Sequence, residues 1–471
     1  MIKSGLILTF FHVVVAVLGL VRNLMIARWL SVEDFGIAST FALTMALVEM
    51  SANIGLDRLI VQSKDGDSKL FQATLQSFQL LRGLGGAVVL FVLAWPLSQL
   101  FQSPGALWAY QAMAVIPVIR GLVNLDLNRF QRSRMFWPSM ATETISQVVS
   151  TAVALIWAYE GGDYRSMLYA LIAQQVTWTV LSQILAERRF QFSWDLTIIK
   201  QAVGFGWPLL LNGALMFGTF YGDRVIVGNL LGPAVLGWFS VAYMLTLIPS
   251  TLLMRVVQTL GLPVLSQHQD NPERFKTLAF VATEAGCLVA ILLIMGNALC
   301  GGLLIHLLFG AKYDLATAIL IPLAAVQAIR LAKSGPSVVA IAQRQTTNPM
   351  WANLVRVAFL PIAYVAAYMG GDVAAVVWVA VLGEVAGLLL SFALLARKSG
   401  LDKNILLRIF LAFSLCTAAA LIYDYLYPSE AGAMLHVAGL LLVAATGAYT
   451  LTLTHLMAWL RTRLRSKTAG T

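Results

Sequence analysis

The chain has 471 residues, of which 59% are hydrophobic and only 11% are charged, and its formal net charge is +10. Soluble domains typically carry about 25% charged residues, so this composition excludes an ordinary soluble protein and indicates an integral membrane protein. The chain contains three cysteines, which excludes a disulfide-rich extracellular domain, and its sequence suggests no metal site.

Apolar segments of about 20 residues, the length that a helix needs to cross the hydrocarbon core of a bilayer, recur along the whole chain. They predict an all-α integral membrane protein with about 14 transmembrane helices and no soluble domain between them. The first segment lacks a small-x-small cleavage site, so we expect it to be a retained helix. In chain order, the predicted helices cover residues 5–27, 35–56, 79–101, 107–127, 137–159, 166–185, 203–225, 235–258, 280–309, 314–332, 350–369, 373–396, 405–425 and 433–459.

The basic residues are distributed unevenly over the predicted loops. Of 32 Lys and Arg residues, we place 24 on one side of the membrane, including Arg330 and Lys333, and three on the other side, at Arg28, Arg165 and Lys312. The positive-inside rule then predicts that both termini are cytoplasmic. Topology and attraction to the anionic headgroups of membrane lipids explain the net charge, so no nucleic acid partner is expected.

Two stretches that are far apart in the chain resemble each other. Aligning "RNLMIARWLSVEDFG" at 22–36 with "DRVIVGNLLGPAVLG" at 223–237 places Gly36 opposite Gly237 at an offset of 201 residues. The flanking helices then match in order and length. An even number of helices per half gives both halves the same orientation, which predicts a parallel internal repeat. The alternative is a general likeness between transmembrane hairpins.

The repeat predicts two six-helix lobes followed by two extra helices. The N-terminal lobe covers residues 1–200, and it ends in the basic, aromatic linker "ERRFQFSWDLTIIKQ". The C-terminal lobe covers residues 201–398, and residues 399–471 form the two extra helices and a basic cytoplasmic tail.

The sequence lacks the common motifs of enzyme chemistry. It contains no G-x-x-x-x-G-K-[ST] phosphate loop, no H-E-x-x-H zinc motif and no G-x-S-x-G elbow. The predicted non-cytoplasmic loops are only a few residues long, which leaves no room for a large catalytic loop. We therefore predict that the protein is not an enzyme and needs no cofactor.

Polar and charged side chains lie at helical spacing within several predicted helices. A charge near the bilayer centre costs at least roughly 2.5–3.5 kcal/mol on insertion scales, so it normally faces a partner or a wet cavity. Either a shared interior cavity or hydrogen bonding between helices, such as a pair between Arg120 and Glu143, explains this pattern. The stripes are Gln72, Gln76, Gln79 and Arg82; Arg120, Asn124 and Asn128; Glu143, Gln147 and Ser150; and Asn212, Thr219 and Asp223.

Arg22 and Arg224 end the first predicted helix of each lobe at nearly equivalent positions. If the lobes face each other across a cleft, the two guanidinium groups converge there and suit a diphosphate, which they bind in bidentate fashion. The alternative is snorkelling of each side chain to the membrane surface. Glu384 lies within the close-packing pattern Gly383-x-x-x-Gly387, where a structural and a functional role are equally open. The candidate cavity residues are Arg22, Arg224, Arg82, Asp223, Asn212, Glu49, Arg120 and Arg356.

Three short segments resemble the polysaccharide flippase family of the multidrug/oligosaccharidyl-lipid/polysaccharide exporter superfamily. They are "ARWLSVEDFGIAS", "NLLGPAVLGWFSVAY" and "RFQRSRMF", and the resemblance covers residues 1–396 well. It implies two six-helix lobes around a central cavity, alternating access, and an oligosaccharide unit on undecaprenyl diphosphate as substrate in the bacterial inner membrane. It also implies polysaccharide polymerase machinery as a partner. The family has no universal sugar motif, so the candidate residues above come from this sequence alone.

Two other functions compete with this hypothesis. A cation-coupled multidrug antiporter of the same superfamily needs membrane acids, whereas arginines at membrane depth are at least as numerous here as deep acids. An O-antigen polymerase or a lipid-sugar glycosyltransferase is expected to place its catalytic groups on a large periplasmic loop, which this sequence does not predict.

Overall fold

A computed structural model describes residues 2–52, 54–345, 347–426 and 454–459 of the chain. Every regular element in these ranges is a helix, so the prediction of an all-α fold is confirmed for the described part. The chain divides into two compact units, the N-terminal unit Met1–Gly237 and the C-terminal unit Trp238–Thr471. The predicted lobe boundary near residue 200 stays a prediction.

Ten α-helices belong to the described part of the N-terminal unit, and an eleventh begins near its end. They are α1 (Ile2–Trp29), α2 (Val32–Ala52), α3 (Leu56–Gln62), α4 (Lys69–Leu100), α5 (Leu107–Met113), α6 (Val115–Gly121), α7 (Asp126–Arg132), α8 (Trp137–Glu160), α9 (Arg165–Ile184), α10 (Leu196–Leu230) and α11 (Gly232–Ser266). The further helices are α12 (Pro272–Phe309), α13 (Leu320–Ala332), α14 (Ser334–Ala342), α15 (Thr347–Ala358), α16 (Leu360–Tyr368), α17 (Val373–Lys398) and α18 (Lys403–Leu426).

Through residue 425 the predicted transmembrane helices fall on helical segments of the described chain, but some, such as 107–127 and 350–369, are divided between helices. Eight helical segments there are long and apolar enough to cross a membrane, or nine if the bent pair Pro104–Gly121 and Asp126–Arg132 is one span. The fold is therefore that of a multi-pass membrane protein. The count of fourteen stays a prediction, because most of the segment 433–459 lies outside the described residues, as does the basic tail.

The predicted helix 107–127 is not continuous. A break after α5 separates it from α6, because Pro117 has no N–H group to donate to the carbonyl of Met113 one turn earlier. A second break follows α6, and α7 is bent away by 48°. The sequence predicts the span 107–127 but not its breaks, because an apolar pattern does not show where the main-chain hydrogen bonds stop.

Polar side chains on two neighbouring helices compensate for the second break. Gln79 on α4 donates to three main-chain carbonyl oxygens at and after the end of α6, at 3.0–3.2 Å. Thr179 and Gln183 on α9 donate to two further carbonyl oxygens there, at 3.0 and 2.6 Å. Main-chain groups without partners are costly in hydrocarbon, so these side chains make the break possible. Most of the predicted stripe on α4 is thus hydrogen bonding between helices.

The two similar stretches of sequence touch each other at the starts of α2 and α11. A Cβ atom added at Gly36 would lie 1.8 Å from the carbonyl oxygen of Pro233, and one added at Gly237 would lie 2.2 Å from that of Val32. Val32 and Pro233 are 201 residues apart, as are Gly36 and Gly237. This reciprocal contact between equivalent residues is expected of a pseudo-twofold repeat, and it explains why both stretches end in glycine.

Candidate functional site

Arg22 is buried inside the N-terminal unit, on α1. Its guanidinium group donates to Ser150 Oγ on α8 at 2.8 Å and to Gln174 Oε1 on α9 at 3.3 Å. Gln174 in turn donates to Gln147 Oε1 at 2.9 Å. The predicted stripe on α8 therefore meets the first arginine of the chain, and together they link three helices. Contact of Arg22 with a substrate stays a prediction.

Three other candidates come together in the N-terminal unit. Arg120 on α6 forms an ion pair with Glu49 on α2, and both side chains are more than 40% exposed. Arg82 on α4 is half-buried and lies close enough to Arg120 and Asp57 for their charges to act on it. This cluster of two arginines and two acids is accessible, unlike Arg22, so an anionic group can approach it from outside the unit.

The candidates on α10 have different surroundings from one another. The Arg224 guanidinium lies over the ring of Tyr221, 4.7 Å from its centroid, in a cation–π contact. Asp223 is buried, as is Thr219 one turn earlier, whereas Asn212 is exposed. The predicted stripe on this helix therefore divides into a buried part and an exposed end. Convergence of Arg224 with Arg22 stays a prediction.

The most concentrated group of buried charges lies in the C-terminal unit. Glu384 on α17 accepts from Arg330 Nε at 2.6 Å and from Lys333 Nζ at 2.5 Å, and Arg356 Nε lies 3.2 Å from the same carboxylate. Arg330 also donates to the hydroxyl oxygen of Tyr243 at 3.3 Å. All four charged side chains are at most 8% exposed. One carboxylate thus balances three cations, and we call these four charged residues the Glu384 cluster.

The two glycines beside Glu384 make room for the cations. A Cβ atom at Gly383 would lie 3.2 Å from Arg356 Cδ, and one at Gly387 would lie 3.4 Å from Lys333 Nζ. The Gly383-x-x-x-Gly387 pattern therefore serves close packing, as a small-x-x-x-small pattern commonly does between membrane helices. It also positions the carboxylate between the neighbouring helices, which supports the structural role of Glu384, and a functional role stays a prediction.

Two members of the Glu384 cluster escaped the sequence analysis. Arg330 and Lys333 were counted with the cytoplasmic loop residues, but Arg330 lies in α13, whose residues are all buried, and Lys333 lies at its end. The available signal was their spacing of three residues in a segment that is apolar enough to cross a membrane. That signal was weak, because the same spacing occurs in ordinary basic loops.

Groups of His, Cys, Asp and Glu that resemble a metal site are absent from the residues that the structure describes. The charged groups of the site include the guanidinium side chains of Arg22, Arg120 and Arg330, and guanidinium groups favour phosphate and carboxylate ligands.

Comparison with known proteins decides the family. The sequence profile of the polysaccharide biosynthesis protein family matches residues 25–318. The chain belongs to this family. The resemblance found in the short sequence motifs is thereby confirmed at the family level.

A curated relative and two solved structures are similar to this member of the family. The lipopolysaccharide biosynthesis protein WzxC of Escherichia coli K12 is 19% identical over 326 residues, which are 64% of this chain and 62% of the relative. A lipid II flippase, MurJ, in an inward closed conformation has a TM-score of 0.71 and 15% identity, and the match covers 95% of this chain and 99% of that one. An inward-facing multidrug resistance transporter of the MATE family has a TM-score of 0.67 and 14% identity, covering 81% and 94%. At these identities the structures show a shared fold and leave the choice of cargo to the residues of the site.

Proposed function

We propose that this protein moves an undecaprenyl diphosphate-linked oligosaccharide unit across the bacterial inner membrane for surface polysaccharide biosynthesis. The observation that carries the proposal is the surplus of cations within helices of membrane-spanning character. It is clearest in the Glu384 cluster, where one carboxylate meets three cations, and the buried Arg22 adds to it. Family membership and the fold shared with a lipid II flippase support the same class of cargo.

The physical task explains why such residues are needed. A diphosphate with several sugars cannot cross about 30 Å of hydrocarbon unaided, so the protein has to line a path with hydrogen-bond donors and positive charge. Guanidinium groups bind phosphate oxygens in pairs and stay charged in a membrane. Two lobes that rock about a fixed site open the path to one side at a time, so transport requires no ATP hydrolysis by this chain.

A cation-coupled multidrug antiporter is the second candidate, since a transporter of that class shares the fold. It needs acids that are accessible to cationic drugs or coupling ions. Glu384 is fully buried and held by three cations, and Glu49 is paired with Arg120. Glu284 is also buried and accepts from the main-chain N–H of Leu456 at 2.7 Å. These occupied acids favour the flippase over the antiporter.

The proposal extends to topology and partners. Both termini lie in the cytoplasm, two six-helix lobes carry the path, and the two extra helices follow them. The cargo passes on to polysaccharide polymerase machinery on the other side of the membrane, and this chain itself is not an enzyme. The distribution of basic residues supports this orientation.

The test is a deletion strain analysed for lipid-linked sugars. We expect surface polysaccharide to be lost and undecaprenyl diphosphate-linked units to accumulate on the cytoplasmic leaflet. Normal surface polysaccharide would contradict the flippase and favour the antiporter. Accumulation of single units on the periplasmic side would instead place the defect at polymerisation.

A further inference from the structure

A polar cavity of about 650 Å³ lies in the N-terminal unit, between the end of α3 and the loop that follows α7. Small-molecule sites commonly measure roughly 300–1,000 Å³, so its size suits a headgroup. Four of its lining residues are basic and one is acidic; these are Lys64, Arg129, Arg132, Arg134 and Asp67. We call this cavity the basic pocket.

Two of the basic side chains are held in place and give the pocket a fixed wall. Arg132 donates to main-chain carbonyl oxygens at and just after the end of α3, two of them at 3.0 Å, and pairs with Asp67 at 3.2 Å. Arg129 pairs with Asp126 and Glu187, each at 2.6 Å. These contacts fix the geometry of the pocket before any ligand arrives, which lowers the entropic cost of binding.

The other two basic lining residues, Lys64 after α3 and Arg134 after α7, have exposed side chains. Within the described residues, the side chains of these two residues make no hydrogen bond and no ion pair. A phosphate group offers several acceptor oxygens, and it gains most from donors that are not already engaged. Lys64 and Arg134 are therefore the donors that a ligand would meet first.

Arg134 adopts a backbone conformation that normally selects glycine, with φ of +62°. The N–H groups of Arg134 and the following residue donate to carbonyl oxygens three and five residues earlier, which closes α7 with a Schellman motif. A side chain in this conformation is disfavoured relative to glycine. Arg344 after α14 has the same φ and the same two hydrogen bonds, but it does not line this pocket.

The pocket adjoins side chains suited to a membrane surface. Met135 and Trp137 lie one and three residues after Arg134, and their side chains are 41% and 58% exposed. Tryptophan is enriched where hydrocarbon meets the headgroup layer. The phosphate of a lipid headgroup lies in that layer, so exposed Trp137 favours a position of the pocket near such headgroups.

We propose that the basic pocket binds the diphosphate of a lipid-linked substrate at the cytoplasmic membrane surface, before the substrate enters the transport path. This rests on the proposed function for the identity of the lipid, whereas affinity for diphosphate itself follows from the pocket alone. Arg132 and Arg129 form the fixed wall, and Lys64 and Arg134 supply the donors that complete the site.

Binding of inorganic diphosphate to the purified full chain in detergent tests the pocket. We expect Arg134→Gly and Lys64→Ala each to weaken binding about tenfold, because each removes a hydrogen bond to a charged group. Arg344→Gly is the matched control, since glycine suits both positions and neither protein should lose stability. Equal weakening by Arg344→Gly, or no binding by the wild type at low salt, would overturn the proposal.

Vesicles distinguish the two possible sources of the phosphate. The protein is incubated with vesicles of phosphatidylcholine that contain either undecaprenyl diphosphate or the same fraction of phosphatidylglycerol. We expect preference for the diphosphate lipid, and loss of that preference in Arg134→Gly. Equal binding of both vesicles would refute the assignment to the substrate. Diphosphate binding that persists while the deletion strain exports normally would refute the proposed function alone.

Discussion

Replacing Glu384 with glutamine should destabilise the C-terminal unit strongly. The three cations lie 2.5–3.2 Å from the carboxylate, where each pair contributes about 5–7 kcal/mol of attraction at an effective dielectric constant of 20. Desolvation of the buried carboxylate offsets much of this sum. Breaking a buried pair by removing one partner typically costs about 3–5 kcal/mol, because the other charge stays buried and uncompensated. We take that range as the expected loss.

Thermal unfolding in detergent, followed with a thiol-reactive dye, measures this effect. Cys287 and Cys416 are buried in the C-terminal unit and report its opening, whereas Cys300 is exposed and is first replaced by serine. A loss of 1 kcal/mol lowers the melting temperature by about 2–4 °C for a unit of this size. We therefore expect Glu384→Gln to melt roughly 6–20 °C below the Cys300→Ser parent.

Two further variants control the argument. Glu273→Gln breaks the ion pair between Glu273, whose side chain is 87% exposed, and Lys276, whose side chain is 41% exposed. A surface pair of this kind contributes at most about 1 kcal/mol to the free energy of unfolding. Adding Lys333→Met to Glu384→Gln removes one orphaned cation and should restore part of the lost stability. If Glu384→Gln melts together with Glu273→Gln, the cluster does not depend on its carboxylate and the reasoning is refuted.

Three other predictions follow from single features of the structure. Gly36→Ala should sharply lower the amount of folded protein in membranes, because the added Cβ would lie 1.8 Å from a carbonyl oxygen. Gly85→Ala is the control, since its added Cβ would have no atom within 4 Å and should leave the amount unchanged. Equal amounts of the two variants would contradict the close contact at Gly36. Arg22→Glu should abolish polysaccharide export while the amount of protein in the membrane stays normal. Arg22→Lys should keep part of the export, because the positive charge survives without the guanidinium fork. Full export by Arg22→Glu would exclude a role of Arg22 in transport. A reporter that is active only in the cytoplasm should be active when it is fused to the C-terminus. Activity of a C-terminal reporter that works only in the periplasm would contradict the predicted topology.

The helices and the membrane class could be predicted from the sequence because they depend on local properties. An apolar segment of about 20 residues satisfies its own main-chain hydrogen bonds as a helix, whatever its neighbours are. Local sequence was not sufficient at residues 107–127, where Pro117 breaks the helix. There the free main-chain carbonyl oxygens accept hydrogen bonds from polar side chains of α4 and α9. The sequence showed Gln79 on a polar face, but the carbonyl oxygens it satisfies lie 41–44 residues away.

The partners of the charged residues were decided only by the tertiary structure. The sequence placed Arg22, Arg120 and Arg356 within predicted helices, but it did not show their partners. These partners are Ser150, Glu49 and Glu384, which lie 128, 71 and 28 residues away in the chain, respectively. Glycine at 36 and 237 led to the prediction of a repeat, and only the folded structure showed that each glycine packs against the other stretch. Hydrophobic segments fix where helices form because burial in lipid acts on each segment separately. Ion pairs and close contacts depend on which helices become neighbours, and that is set by packing over the whole unit.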